Sequence, residues 1–516
     1  LANPKKTSLL RSTVTVSLIT LLSRVAGMVR EMVGAWALGT SFYADAFALA
    51  FSLPNLFRRL TAEGAMSNAF IPVFCAVDKK EGRQRALDFA RSFFWALTLL
   101  LVVLTALFLW QADFLVSHFF AAGFTGEPLV VTVLLTRVMF GYIILISLAA
   151  VAQGVLNSLG VFWVSAITPV WLNLAIISVA LGLAGFFENP ALPFALGVMV
   201  GGLAQLLFQM PILYKRGLRL FKSPWYDPKI KEVFVLIVPT IFGVGIYQIN
   251  ILISNLIATT LGEGSLSALT FSNRLLELVL GVLVVSITTV ILPKLSGHFI
   301  DGEPALVARQ LNRTLKIVAF VTLPVTALTL ALSEELVSTL FLRGRFDLVS
   351  LMMTSGALRL HILGLVFIAF NRILLTAYQG ARRIKITVAI SLVVVVVNLL
   401  GAYSLSASMG HRGIALASSL SQMVQLLLLW AFVGQLGFGW LWEKRLALSF
   451  AKSLAASLVL FGFLVWVRSY LLPWGAAPAF FLASLGGVLV YLSVCALVVH
   501  EELQDTLALL FKRRRS

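Results

Sequence analysis

Long apolar runs alternate with short polar breaks along the whole chain. Fourteen runs lie at about 12–38, 42–77, 86–112, 128–157, 162–187, 190–214, 232–261, 265–297, 308–332, 347–378, 384–406, 412–437, 446–470 and 477–500. Each reaches the ~20 residues that a helix needs to cross the hydrocarbon of a bilayer. Lipid offers no partner to an unpaired backbone group, so helices are expected rather than open strands or loops. The pattern predicts an all-α polytopic membrane protein with about fourteen transmembrane helices. Pro54 predicts a kink in one of the longest runs.

Composition agrees with this class. Of the 516 residues 59% are hydrophobic and 12% charged, and the mean hydropathy is +0.97. A soluble fold of this length has nowhere to hide so much apolar surface. The formal charge of +18 sits mostly in short loops, with no basic and aromatic groove of the kind that binds nucleic acid. Loops on the N-terminal side carry most of the Lys and Arg, among them Lys79, Lys80, Lys215, Arg216, Arg309, Arg382, Arg383, Lys444 and Arg445. The opposite loops carry only Arg343, Arg345, Arg412 and Arg468. The positive-inside rule then places both termini in the cytoplasm. The basic start and first apolar run have the outline of a signal peptide. Arg24 interrupts the run and no cleavage pattern follows, so it reads as a retained first span. Trp225 and Tyr226 beside lysines read as an interfacial anchor, and the tail 500–516 as a short amphipathic helix ending in a basic cluster. Cys75 and Cys495 offer neither a disulfide framework nor a metal spacing. No metal site is expected.

A weak internal repeat runs through the chain. LGTSFYADAF at 38–47 falls opposite LGEGSLSALT at 261–270, AFIPVF at 69–74 opposite TVILPKL at 289–295, and TPVWLNL at 168–174 opposite VVVVVNL at 393–399. A period of six spans in one orientation predicts two parallel six-helix lobes about an axis along the membrane normal. The expected division is an N-lobe at 1–222, a C-lobe at 223–437 and an extra helix pair with its tail at 438–516.

The departure from this apolar background is Ser23–Asn68, which carries Arg24, Arg30, Glu31, Asp45, Arg58, Arg59 and Glu63. Ionisable groups at bilayer depth cost several kcal/mol unless they face one another or a watery cavity. Arg24 and Glu31 are seven apart and share a helix face. Asn55 and Arg58 are three apart, as are Arg274 and Glu277 in the eighth span, which is a neighbour spacing. Any one pair reads equally well as a structural salt bridge. Taken together, arginines outnumber carboxylates in spans one, two and eight, and a cationic chamber fits an anion. Arginine is the residue for two-pronged phosphate recognition, because its planar fork stays charged and matches two oxygens. Asp45, Arg59 and Glu63 are read as gating or charge-pairing positions. A helix cap is an equal reading for Glu63. Asn250, Asn255, Asn371 and Asn398 read as interhelical hydrogen-bonders.

SRVAGMVRE, followed by ADAFALAFSLPNLFRRLTAEGAMSNAFIPVF, resembles the MurJ (MviN) family of lipid II flippases, within the multidrug/oligosaccharidyl-lipid/polysaccharide exporter superfamily. The resemblance continues through AQGVLNSLGVFWVSAITPVWLN, FSNRLLELVLGVLVVSITTVILPKLS and LFLRGRFD at 340–347, and covers nearly the whole chain. It implies a transporter rather than an enzyme. The implied substrate is lipid II, undecaprenyl pyrophosphate carrying a disaccharide-pentapeptide, moved to the periplasmic leaflet of the bacterial inner membrane for peptidoglycan synthesis. By motif position the family's cavity arginines fall on Arg24, Arg30, Arg58 and Arg274, and its second-span Asp on Asp45. Asn55, Arg59, Glu63 and Glu277 also match. The resemblance further implies that the last two spans line a groove for the lipid tail. This chain has Glu31, Ser52 and Asn273 where relatives often have Asp, Lys and Asp. Apart from Glu232, spans seven and eleven lack the carboxylates with which some relatives bind sodium. No cofactor is assigned, and coupling to membrane potential or to a monovalent cation stays open. Alternating access of the two lobes is the expected mechanism and a monomer the expected state. A flippase for another polyprenyl-linked oligosaccharide, or a multidrug antiporter of the same superfamily, is the alternative.

Overall fold

The computed structural model describes residues 4–59, 69–221, 226–436 and 444–499, and all regular structure among them is helical. The chain divides into two compact units, Leu1–Ser267 and Ala268–Ser516. The first unit holds α1 (Pro4–Leu38), α2 (Phe42–Arg58), α3 (Ile71–Glu81), α4 (Arg83–Trp110) and the short α5 (Ala112–Leu115), which runs into a π-helical turn at Val116–Phe120. It continues with α6 (Glu127–Phe140), α7 (Tyr142–Ser158), α8 (Phe162–Gly182), α9 (Leu192–Lys215) and α10 (Lys229–Thr259). The second unit takes α11 (Ser265–Ile300) beyond Ser267, then α12 (Pro304–Ala331), α13 (Ser333–Phe341), α14 (Leu348–Leu363) and α15 (Leu365–Gly380). It ends with α16 (Ile384–Met409), α17 (His411–Ala431), α18 (Lys444–Leu471) and α19 (Ala476–Val498).

The hydropathy pattern located most of these helices to within a few residues; α1 begins at Pro4 rather than near 12, and the run at 128–157 is divided into α6 and α7. Three differences are larger. The run expected at 42–77 is α2 and α3 on either side of 60–68, which lie outside the described residues. The run at 347–378 is α14 and α15, bent by 42°. The short helices α5 and α13 were not anticipated. With α6 and α7 taken together as one, nine of the described helices are long and apolar enough to cross a membrane, or ten if α14 and α15 form one bent span. The tail 500–516 and Trp225 lie outside the described residues, and Tyr226 is exposed.

The bend at Gly364 has an identifiable cause. A break in a helix frees carbonyls that lipid cannot satisfy. Ser419 of α17 supplies the missing donor, its Oγ lying 2.6 Å from Leu360 O and 3.3 Å from His361 O. A Cβ on Gly364 would meet that same Oγ at 2.8 Å, so glycine is required for the approach.

Within the first unit α8 and α9 pack backbone to backbone. A Cβ on Gly197 would lie 2.8 Å from Ile176 Cα, and one on Gly201 would lie 3.1 Å from Leu172 Cα. These glycines stand one turn apart on α9 and form the small-residue stripe that lets membrane helices touch where solvent gives no hydrophobic push. At the other end of α9, Asp227 is buried, paired with Arg85, and accepts the Lys229 amide at 2.9 Å. Lys229 also pairs with Glu81. The start of α10 is thereby tied to the α3–α4 hairpin, which accounts for its place in the first unit. A phenylalanine cluster around Phe70, Phe89 and Phe93 fills the space beneath the hairpin. We expect Gly201→Leu to force α8 and α9 apart at a cost of about 1–3 kcal/mol. A clear fall in the midpoint of thermal unfolding in detergent checks this, with an exposed apolar swap such as Leu203→Ile as the neutral control.

Candidate functional site

The charged residues of α1 are held by a residue that the charge count did not single out. Arg30 divides its fork. Nη2 pairs with Glu31, and Nη1 donates to Asn173 Oδ1 of α8 at 3.2 Å. Asn173 is only 6% exposed. Its Nδ2 donates back to Ser23 O on α1 at 3.3 Å, two turns before Arg30. One amide therefore grips α1 at two levels and fixes the direction of the guanidinium. Helix geometry had put Glu31 on the same face as Arg24; the structure shows it also engaging the adjacent Arg30. Arg24 is half-buried on the same helix.

On α2 the spacing argument holds. Arg58 Nε donates to Asn55 Oδ1 at 2.9 Å, one turn away. Arg59 is half-buried beside it. Tyr142, at the start of α7, is fully buried. Its hydroxyl donates to Gln205 Oε1 at 3.2 Å, and Gln205 Nε2 donates to Thr168 O at 3.1 Å. Tyr142 lies in none of the charge patterns, and its only signal in the sequence was a polar atom in an apolar run. Hydrogen bonds thus join Arg30 and Asn173 between α1 and α8, and Tyr142, Gln205 and Thr168 among α7, α9 and α8. Asn173 and Asn55 hold the guanidinium groups of Arg30 and Arg58 in place by neutral contacts.

Asp45 does a different job from the arginines. It is 2% exposed and accepts two backbone N–H groups, Gly264 at 2.8 Å and Ser267 at 2.6 Å, at the first turn of α11. Glu263 returns the contact, its Oε1 accepting Phe42 N at 2.9 Å at the first turn of α2. Each helix start is capped by an acid from the other, which satisfies amides that have no partner within their own helix. Gly264 has φ +81° and lies against Thr40, so no side chain fits there. The partners are the two copies of the internal repeat: Asp45 and Ser267 are 222 positions apart, Phe42 and Glu263 221. Residues at equivalent repeat positions meet.

In the second unit Arg274 Nη1 pairs with Glu277 Oε2 at 2.8 Å, as their spacing required. Two residues before Arg274, Ser272 bonds His361 Nδ1 at 2.9 Å. Asn371 donates to Gln422 and Gln425 and is an interhelical hydrogen-bonder as expected. Glu63 lies outside the described residues. Among the described residues no three His, Cys, Asp or Glu side chains are grouped to hold a metal.

Residues 35–493 match the family described as lipid II flippase MurJ. The chain belongs to the MurJ family. Among its relatives, a lipid II flippase MurJ from Burkholderia cenocepacia is 35% identical over 474 residues, covering 89% of this chain and 90% of that one. A protein of Treponema pallidum named "Probable lipid II flippase MurJ" is 35% identical over 438 residues, 83% of this chain and 82% of its own. Among solved structures, a lipid II flippase MurJ in an inward closed conformation superposes with a TM-score of 0.81 at 23% identity, over 95% of this chain and 99% of that one. The fold is therefore the MurJ fold, and the protein is a transporter of the membrane.

Two outcomes test this MurJ site as built. Asp45→Ala leaves two buried amides without an acceptor and should cost about 1–3 kcal/mol, read as a lower unfolding midpoint, with Asp45→Asn recovering part. Asn173→Ala should lower both stability and transport, whereas an exposed polar change such as Gln111→Ala should alter neither.

Proposed function

We propose that this MurJ-family chain carries lipid II from the cytoplasmic to the periplasmic leaflet of the bacterial inner membrane. The observation that carries the reading is the Arg30 guanidinium held by Asn173 across α1 and α8 inside an apolar bundle, with Arg58 held by Asn55 on α2. A pyrophosphate is the part of lipid II that such a site recognises. Its oxygens take charge-assisted bonds from planar forks, and these are about twice as strong as neutral ones. Arg24, Asn55 and, from the second unit, Arg274 are assigned to the same task. The relatives named above support the substrate.

The mechanism we infer is alternating access between the two units. The headgroup enters from the cytoplasmic side, where its phosphates meet the arginines. The prenyl tail stays in lipid along α18 and α19. Asp45 and Glu263 close the opposite end by capping each other's helices, and releasing those caps opens the periplasmic side. Arg59, Glu63 and Glu277 trade partners between states. Protein and substrate charges move through the membrane field, so each net charge transferred is worth ~2.3 kcal/mol per 100 mV. Coupling to membrane potential follows from that. Both termini lie in the cytoplasm, and the protein acts as a monomer.

Reconstitution tests the reading. In vesicles loaded with lipid II on one leaflet, the protein should make the lipid accessible to an enzyme or probe on the other side. Arg30→Ala and Arg58→Ala each remove a charge-assisted contact of roughly 1.5–3 kcal/mol, about 10–100-fold in transport. Arg274→Glu should abolish transport. Failure of the wild-type protein to transport, or equal transport by these variants, overturns it. Equal or faster movement of an organic cation would favour a drug antiporter instead.

A further inference from the structure

The two units carry matching short helices after their third and ninth spans, and the match stops at one residue. Leu115-Val116-Ser117 recurs as Leu336-Val337-Ser338. Asp113 at the start of α5 pairs with Arg137 of α6 at 2.6 Å, and Glu334 at the start of α13 pairs with Arg359 of α14 at 2.7 Å. The two pairs span 24 and 25 positions, so the same ion pair is built twice. The next residue differs. In the first unit it is Phe114, 51% exposed. In the second it is Glu335, 1% exposed. Arg468, in the last turn of α18, pairs with Glu335 through Nε and with Glu334 Oε2 through Nη2 at 2.6 Å. One guanidinium bridges both carboxylates, and Arg359 Nε anchors the cluster to Ser333 Oγ at 2.7 Å. Arg468 Nε bonds Glu335 Oε1, and the buried Oε2 has no hydrogen-bond partner among the described residues, so this carboxylate depends on Arg468.

Apolar packing cannot by itself choose where α18 sits. Lipid tails are as apolar as leucine, so a helix gains adhesion from any smooth apolar face but no preference among faces. α18 lies on α12, with Ala456, Leu460 and Leu464 against Phe320, Ala327 and Ala331. The corresponding helix of the first unit, α4, presents Leu99, Val103 and Leu107 exposed, an equally apolar face. What the second unit has and the first lacks is the acidic residue at the Phe114 position. Burial pushes the Glu334 carboxyl up, but hydrogen bonds and charge from Arg468 and Arg359 outweigh it and hold the group below the usual carboxylate range. Glu334 therefore stays charged at neutral pH.

We propose that Glu335, with Glu334, is the docking address that Arg468 reads, seating the α18–α19 pair on the second unit so that the pair moves with it and holds the lipid tail there. The part concerning the tail rests on the function proposed above; the docking does not. Arg468 is a positioning residue, acting through the helix that carries it.

The experiment uses the full chain in lipid nanodiscs, comparing wild type, Arg468→Ala, Arg468→Lys and the exchanged pair Glu335→Arg with Arg468→Glu. Amide exchange along α18 and α19 reads docking. Arg468→Ala should raise it at least tenfold there and leave α16 and α17 unchanged, with Arg468→Lys and the exchanged pair recovering most of the protection. In vesicles, Arg468→Ala should slow transport of full-length lipid II about tenfold and leave a short-prenyl analogue nearly unaffected. Unchanged exchange in α18–α19, or an equal rise throughout the unit, overturns the docking address. Released helices with undiminished transport of the full-length lipid overturn the role in holding the tail. A wild-type protein that moves no lipid II, with exchange behaving as stated, counts against the proposed function and supports the docking.

Discussion

A guanidinium inside a membrane bundle cannot be left to itself. Water is not there to solvate it, so side chains of the bundle must do so. Arg30 divides its fork between Glu31 and Asn173, and Arg58 donates to the amide of Asn55. The rest of the first unit follows from that need. Asn173 must sit across from α1, so α8 must pack on α1. α8 is in turn held by α9 through Gly197 and Gly201, where any larger residue would push the helices apart. The small-residue stripe and the arginine site belong to one chain of support.

The second dependency lies at the helix ends. Membrane helices expose unpaired amides at their first turns, and the cheapest acceptor is an acid from a neighbour. Asp45 and Glu263 exchange this service between α2 and α11. The partners are 221 and 222 positions apart, which is the offset of the internal repeat.

Repetition and departure from it divide the labour elsewhere. The ion pairs Asp113–Arg137 and Glu334–Arg359 fasten the same short helix to the same following span in each unit. The first copy ends there, with Phe114 exposed. The second extends to Arg468 and thereby to two further helices. In a solvent that does not distinguish apolar faces, charge pairs and close-packed glycines supply the register that leucines cannot.

Length, hydropathy and spacing determined the class of this protein, the place of its helices and the local pairs Asn55–Arg58 and Arg274–Glu277. These depend only on the bilayer's thickness and on the pitch of one helix, both of which can be read along a single stretch of chain. The resemblance of the Ser23–Asn68 stretch carried the family. Asn173 and Tyr142 stayed hidden because nothing in an apolar run marks which polar atom meets a distant partner, 143 positions away in the case of Asn173. The partner of Asp45 was hidden for the same reason, and the repeat that aligned its copies did not say that they touch. The role of Glu335 depended on a residue 133 positions later. Only the tertiary structure decides such pairings, because a buried charge or amide is defined by its surroundings, and those are assembled from helices remote in sequence.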